Sequence, residues 1–223
     1  MCACVVGYNV LTMKQLAWKL FILPILFALP SPVLAITKII VVPTARTIGA
    51  RRYAIELTHK SPFLDASSQR IDLTVKLGAG ERAMFEVKQP LSSSGNSNVL
   101  FFGKYAFATA NHGLSAFAIG VENVGVDSTT ISYFVISHLF GPVDVTVGFA
   151  GGNDLPAMYL AGVDYGMSDK LHLLADYNSG TADFASLGFQ YRFSPQWSVK
   201  SGLEQPRNGD SDVLIKIAYN SSY

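Results

Sequence analysis

The sequence lacks the residues on which disulfide scaffolds, thiolate metal sites and nucleic-acid-binding proteins depend. Its two cysteines are Cys2 and Cys4, so the chain beyond them can form neither a disulfide nor a cysteine metal site. Charged residues make up 15% of the chain, and 17 Lys and Arg nearly balance 16 Asp and Glu. This balance leaves no basic surface for nucleic acid.

Long apolar runs are also rare, and the run near the N-terminus is short. Residues 13–19 contain two lysines, residues 20–29 are apolar apart from Pro24, and residues 33–35 end at Ala35. This order predicts a secretory signal peptide over residues 1–35, with Met13 as a candidate for the true start. A membrane anchor is the alternative, but Pro24, Pro30 and Pro32 interrupt a run shorter than the roughly 20 residues of a transmembrane helix.

The remaining apolar residues alternate with polar ones instead of forming long runs, although hydrophobic residues make up 49% of the chain. Strands of a transmembrane β-barrel alternate in this way, with one face toward lipid and the other toward the lumen. The sequence predicts a lead-in over 36–50 and an all-β, up-and-down antiparallel barrel over 51–223. Its strands number about 12 (10–12), near 51–59, 69–78, 81–89, 97–109, 113–122, 129–140, 142–150, 156–166, 170–178, 182–193, 195–204 and 211–219.

Charged residues in these runs fall almost entirely on one parity. An Arg or Lys facing lipid near the middle of a bilayer costs about 2–4 kcal/mol, so we predict that the charged parity lines the lumen. The predicted lining residues are Arg52, Glu56, Asp72, Lys76, Glu86, Lys88, Lys104, Glu122, Asp144, Asp164, Asp176, Arg192, Lys200, Glu204 and Lys216. The sixth run, ISYFVISHLF, is apolar on both parities. There we expect Tyr133 outside, with Ser132 and His138 inside.

A soluble β-sandwich would show the same parity, so other features must decide between the two folds. Long and short connections tend to alternate, and aromatic residues lie near strand ends, both as in outer-membrane barrels. The last run carries Ile217, Tyr219 and Tyr223 on one stripe. This stripe resembles the C-terminal signal read by the machinery that inserts outer-membrane barrels, although Ser221 departs from it. The predicted partners are outer-membrane lipid and that machinery.

A second resemblance lies just before the first predicted strand. The element Val42-Pro43-Thr44-Ala45-Arg46, followed by residues 53–57, resembles the opening of YjbH-type outer-membrane proteins, in which a P-T-A-R element precedes the first strand. That family is associated with exopolysaccharide export, and its members are much longer than this chain. The resemblance implies a Gram-negative envelope protein and transfers no catalytic residue. A polar lead-in that plugs or caps the periplasmic mouth is the alternative.

The sequence contains only weak candidates for catalytic or metal-binding residues. A lipase-type site would need a Ser, a His and an orienting side chain at the lipid face, and the nearest candidate is His59 beside Ser61. The simpler interpretation of that pair is loop polarity. No histidine pair has a ligand spacing, and the acidic loop at 208–212 is more simply a turn than a calcium site. We therefore predict no catalytic residue, metal or cofactor.

The predicted lining combines seven basic with eight acidic residues. Such a lining could form a narrow channel for small polar or sugar-like solutes, in which rings of charge set selectivity. It could also pair internally and fill the lumen, since twelve strands lie between eight-stranded barrels filled by side chains and open 16- to 18-stranded porins. We expect a Gram-negative outer-membrane channel, and the YjbH-like resemblance implies a link to envelope polysaccharide. A structural or adhesive barrel and a lipid-modifying enzyme are the alternatives.

Overall fold

The computed structural model of the chain describes residues 37–63, 69–91, 98–108, 115–125, 130–153, 155–180 and 183–223. The predicted signal peptide, residues 1–35, and the candidate start at Met13 lie outside the described residues. Among those that are described, no helix is long and apolar enough to cross a bilayer.

Twelve antiparallel strands form one closed barrel, which confirms the predicted fold and strand number. Each strand coincides with one of the alternating runs to within a few residues. The strands are β1 Arg52–Pro62, β2 Arg70–Ala79, β3 Ala83–Pro90, β4 Leu100–Ala108, β5 Ala116–Val124, β6 Ile131–Phe140, β7 Val143–Gly152, β8 Leu155–Gly166, β9 Leu171–Asn178, β10 Phe184–Arg192, β11 Trp197–Pro206 and β12 Asp212–Ser222.

The last strand closes the barrel against the first. β12 pairs with β1 in continuous register, from Arg52 opposite Ser222 to Pro62 opposite Asp212. Every other strand pairs with its two neighbours along the chain, so the wall has no free edge. This closure excludes the alternative of two stacked sheets.

The connections divide the barrel into two ends. Residues 80–82, 109–115, 141–142, 167–170 and 193–196 connect strands at one end, which we call the short-turn end, together with the start of β1 and the end of β12. Gly80 and Gly141 adopt positive φ there, at 86° and 58°, a conformation that glycine adopts without steric cost. We call the opposite end the long-loop end; it carries residues 63–69, 91–99, 125–130, 153–154, 179–183 and 207–211. The predicted alternation of long and short connections therefore fails at 109–115, which is long, and at 153–154, which is short.

The outer face of the wall is apolar, with aromatic rings packed against one another near the short-turn end. The ring centroid of Trp197 lies 4.9 Å from that of Tyr219 and 6.4 Å from that of Phe193. Tyr53 lies 6.3 Å from Tyr219 and 6.5 Å from the C-terminal Tyr223. Amphipathic rings of this kind favour the interface between lipid and water.

The parity predicted for β6 was wrong. Tyr133, Val135 and Ser137 are buried on the inner face, whereas Ser132 is exposed and His138 contacts Ser115 on the outer face. Because both parities of this strand are apolar, the distribution of charge carried no information about which face is inside. The paired residue in β5 is Gly120, and a Cβ there would lie 2.3 Å from the Tyr133 hydroxyl. The missing side chain gives the Tyr133 ring its place inside the barrel.

Candidate functional site: a plugged lumen

The lumen holds a segment of the chain itself, residues 37–49, which we call the plug. It contacts side chains on β2, β4, β5, β6, β7, β9 and β11. Only a segment inside the ring can reach strands on all sides of a closed barrel. The plug begins with a tight turn in which the Ile39 N–H donates to Val42 O at 2.9 Å and the Thr44 N–H donates to Thr37 O at 3.1 Å.

One carboxylate holds the tip of this turn. Oδ2 of Asp176, on β9, accepts hydrogen bonds from the backbone N–H groups of Ile40, Val41 and Val42 at 2.9, 2.7 and 2.9 Å. Successive N–H groups that converge in this way form an anion-binding concavity. Hydrogen bonds to a charged acceptor are stronger than neutral ones, so Asp176 fixes the position of the plug tip.

Two lysines bind the carbonyl groups of the plug. Nζ of Lys104, on β4, donates to the carbonyl oxygens of Thr37, Thr44 and Arg46 at 2.9, 3.0 and 2.8 Å. Nζ of Lys200, on β11, donates to the carbonyl oxygens of Lys38 and Ile39. The wall therefore satisfies plug backbone groups that would otherwise be buried without partners.

The plug side chains pair with the wall as well. Lys38 lies 2.6 Å from Glu122, and Arg46 lies 2.6 Å from Asp144. The apolar plug residues pack on β4 to β9, in two clusters whose members include Val42, Ala45, Ala106, Ala118, Val135, Met158, Leu160, Ile39, Ile40 and Leu174. One side of the lumen is thus an apolar core that the charge pattern did not predict.

Inward-facing glycines make room for the plug. A Cβ on Gly162 would lie 2.3 Å from Ile39 Cδ1, and a Cβ on Gly202 would lie 3.1 Å from two atoms of Ile40. At Gly78 a Cβ would lie 1.7 Å from the backbone oxygen of Gly49. Glycine inside a strand often marks the close approach of another backbone, and here that backbone is the plug.

Replacing Gly78 by Ala therefore tests whether the plug lies against β2. We expect the G78A variant to lose about 1–3 kcal/mol of unfolding free energy, since backbone must shift to admit the methyl group. Gly103→Ala is the matched control, because a Cβ there meets only Val121 Cγ2, at 3.7 Å. Urea unfolding of both variants measures the difference. Equal losses in the two, or a G78A loss that persists after residues 37–49 are deleted, would contradict this placement.

All fifteen predicted lining residues are buried or half-buried. Asp176, Lys104, Lys200, Glu122 and Asp144 bind the plug, as described above, and Lys76 Nζ donates to Thr37 Oγ1 of the plug at 2.9 Å. Ion pairs also join neighbouring strands: Lys76 with Glu56 (2.7 Å) and Glu86 (3.7 Å), Lys216 with Glu56 (3.1 Å), Lys88 with Asp72 (3.5 Å) and Asp164 with His172 (2.7 Å). Glu204, on β11, reaches past β12 to pair with Lys60, on β1. Arg52 and Arg192 are half-buried near the short-turn end.

Little space remains around the plug, but a larger cavity opens at the short-turn end. The cavity between the plug and β1, β2, β10, β11 and β12 has a volume of about 30 Å³, which is room for one or two water molecules. The larger cavity, which we call the vestibule, has a volume of about 630 Å³. Its walls include Arg46, Asp144, Asp164, His172 and Arg192.

The histidines do not form the predicted candidate dyad. A ring nitrogen of His59 lies 3.5 Å from the Gln69 amide oxygen, in place of a contact with Ser61. The Ser–His contact that the structure does contain joins Ser115 Oγ to His138 Nδ1 at 2.9 Å, on the outer face. Within the described parts of the chain, no group of three or more His, Cys, Asp and Glu residues could hold a metal ion.

Solved structures share this architecture. The KdgM porin aligns with a TM-score of 0.55 at 12% identity, over 76% of this chain and 99% of that porin. The KdgM porin in complex with disordered oligogalacturonate aligns with a TM-score of 0.56. Omp33 of Acinetobacter baumannii aligns with a TM-score of 0.54 at 9% identity, over 77% of this chain and all of that one. This chain has the fold of a porin.

Sequence comparison gives no family for this porin fold. No protein-family model matches the chain, and no curated protein matches it by sequence.

Proposed function

We propose that the protein is an outer-membrane channel for small polar solutes, and that the plug closes it in the conformation described. The observation that carries this proposal is the charged lining, which faces the axis of a closed twelve-stranded barrel and reaches the vestibule at the short-turn end. Charged side chains around a pore favour polar solutes and set selectivity between them. We place the short-turn end in the periplasm, because the short connections of outer-membrane barrels lie on the periplasmic side.

The link to polysaccharide fragments is a further part of the proposal. The KdgM porin, whose fold this chain shares, has been solved with oligogalacturonate. The Pro43–Arg46 element that resembles YjbH-type proteins lies within the plug, where Arg46 meets Asp144. Both features support a role in passing sugar-like solutes across the envelope. A signal peptide, export to the outer membrane and an insertion signal at Ile217, Tyr219 and Tyr223 belong to the same proposal.

A sealed barrel is the second candidate function. The plug forms hydrogen bonds or ion pairs with seven strands. So many contacts favour a plug that stays in the lumen permanently and stabilises a structural or adhesive barrel. In both candidates the protein is not an enzyme, since the lining charges pair with one another and with the plug backbone.

Planar-bilayer recording of the refolded protein tests the channel. We expect discrete conductance steps separated by long closed periods, because solutes pass only while the plug is displaced. Heat-modifiable migration in SDS gels serves as the control that the recorded protein is a folded barrel. Folded protein that stays silent, both whole and without the plug, would contradict the channel and leave the sealed barrel.

A further inference from the structure

The vestibule contains an unusual set of polar groups for the mouth of a barrel. Asp144 and Asp164 lie directly opposite each other on β7 and β8. Asp144 pairs with Arg46 of the plug at 2.6 Å, and Asp164 pairs with His172 at 2.7 Å. Two carboxylates side by side repel each other, so each is held by a partner of its own.

Several hydrogen-bonding atoms of this cavity have no partner within the described residues. They are Asp144 Oδ1, Arg46 Nε and Arg192 Nε, and all three atoms are buried. Asp144 is only 5% exposed. A buried polar atom left without a partner costs about 1–3 kcal/mol. The vestibule therefore offers one carboxylate acceptor and two guanidinium donors to a ligand that can both donate and accept.

The size and charge of the vestibule narrow the choice of ligand. Its volume of about 630 Å³ lies within the range of small-molecule sites. Three carboxylates, Asp144, Asp164 and Asp169, and two guanidinium groups, Arg46 and Arg192, line the cavity. The carboxylates outnumber the guanidinium groups by one, so these groups do not favour an anion. Vicinal hydroxyl groups of a neutral sugar supply donors and acceptors without adding charge.

We propose that the vestibule is a binding site for a neutral sugar, held between Asp144 and Arg192. This inference rests on the proposed channel for its biological meaning, because the site lies at the channel mouth. The proposed channel admits small polar solutes in general, whereas the sugar site prefers neutral sugars to uronates. A sugar hydroxyl donates to the Asp144 carboxylate, and a second hydroxyl oxygen accepts from the Arg192 guanidinium, both of which border the cavity. Because Asp144 also pairs with Arg46, the bound sugar lies against the plug.

Saturation-transfer NMR of the folded mature protein in detergent tests the site with two matched probes, glucose and glucuronate. We expect glucose to bind with a Kd of about 1–10 mM, which is typical of a few hydrogen bonds, and glucuronate to bind more weakly. Asp144→Asn and Arg192→Gln should each raise the glucose Kd by about tenfold or more. Asp210→Asn, in an exposed connection at the long-loop end, is the control and should leave binding unchanged.

The outcomes separate this inference from the proposed function. Heat-modifiable migration first establishes that each variant is folded, and the two site variants test opposite walls independently. Absence of glucose binding in folded protein, tighter binding of glucuronate, or an unchanged Kd in both D144N and R192Q would each overturn the sugar site. If conductance persists in any of these cases, the channel stands and only the sugar site is lost.

Discussion

Deleting residues 37–49 should raise the single-channel conductance of the refolded barrel by about an order of magnitude or more. The plug and its partners fill the lumen, leaving a cavity of about 30 Å³ beside it. A twelve-stranded barrel without a plug lies between filled and open barrels in width, and its lining of seven basic and eight acidic residues would be hydrated once the plug is gone. Planar-bilayer recording compares the deletion with the whole mature chain.

The matched control for this deletion keeps the plug but lengthens the chain between the plug and β1. Inserting several Gly and Ser residues between Ala50 and Arg51 leaves residues 37–49 and all their wall contacts available, so the conductance should stay close to that of the unaltered protein. Both variants must show heat-modifiable migration. A folded deletion variant with the conductance of the whole chain would contradict the plug as the barrier.

The number of strands was predictable because nearly every strand shows its own alternation of apolar and charged residues. A charge such as Asp72 or Lys200 cannot face hydrocarbon, so alternation identifies the inner face of a strand without knowledge of its neighbours. β6 shows the limit of this reasoning. Its inner residues Tyr133 and Val135 are apolar and pack on an apolar part of the lumen, and no charge marks either face. The parity of that strand depends on the plug and on Gly120.

The plug was not predictable from the same alternation. Its apolar residues, from Ile39 to Val42, have no partner strand, and its polar contacts are made mostly by backbone groups, which are the same in every sequence. Two signals were available. The Pro43–Arg46 element allowed a lead-in that plugs or caps the periplasmic mouth, and Thr44 and Arg46 do contact Lys104 and Asp144 inside the barrel. Gly78, Gly162 and Gly202 lie at inner positions of strands, where glycine marks the approach of another backbone. The charges that were predicted to line an open lumen are, in several cases, the groups that hold the plug.

Replacing Asp176 by Ala should release the tip of the plug. Three backbone N–H groups would lose one charged acceptor, and each hydrogen bond to a charged group contributes about 1.5–3 kcal/mol. Water that enters the lumen offsets part of this loss, so we expect a fall of about 2–4 kcal/mol in the free energy of unfolding. Asp176→Asn keeps an acceptor oxygen without the charge and should lie between the wild type and D176A.

Trypsin reports the position of the plug independently of stability. Lys38 and Arg46 are paired inside the ring at 2.6 Å from Glu122 and Asp144, so the wild-type barrel should resist cleavage after these residues. In D176A they should become accessible, and the open fraction in bilayer recordings should rise in parallel, whereas Asp210→Ala should change neither. A D176A protein that is less stable but uncut and still mostly closed would show that Asp176 stabilises the wall alone. Cleavage together with longer openings is expected only if this carboxylate keeps the plug in the lumen.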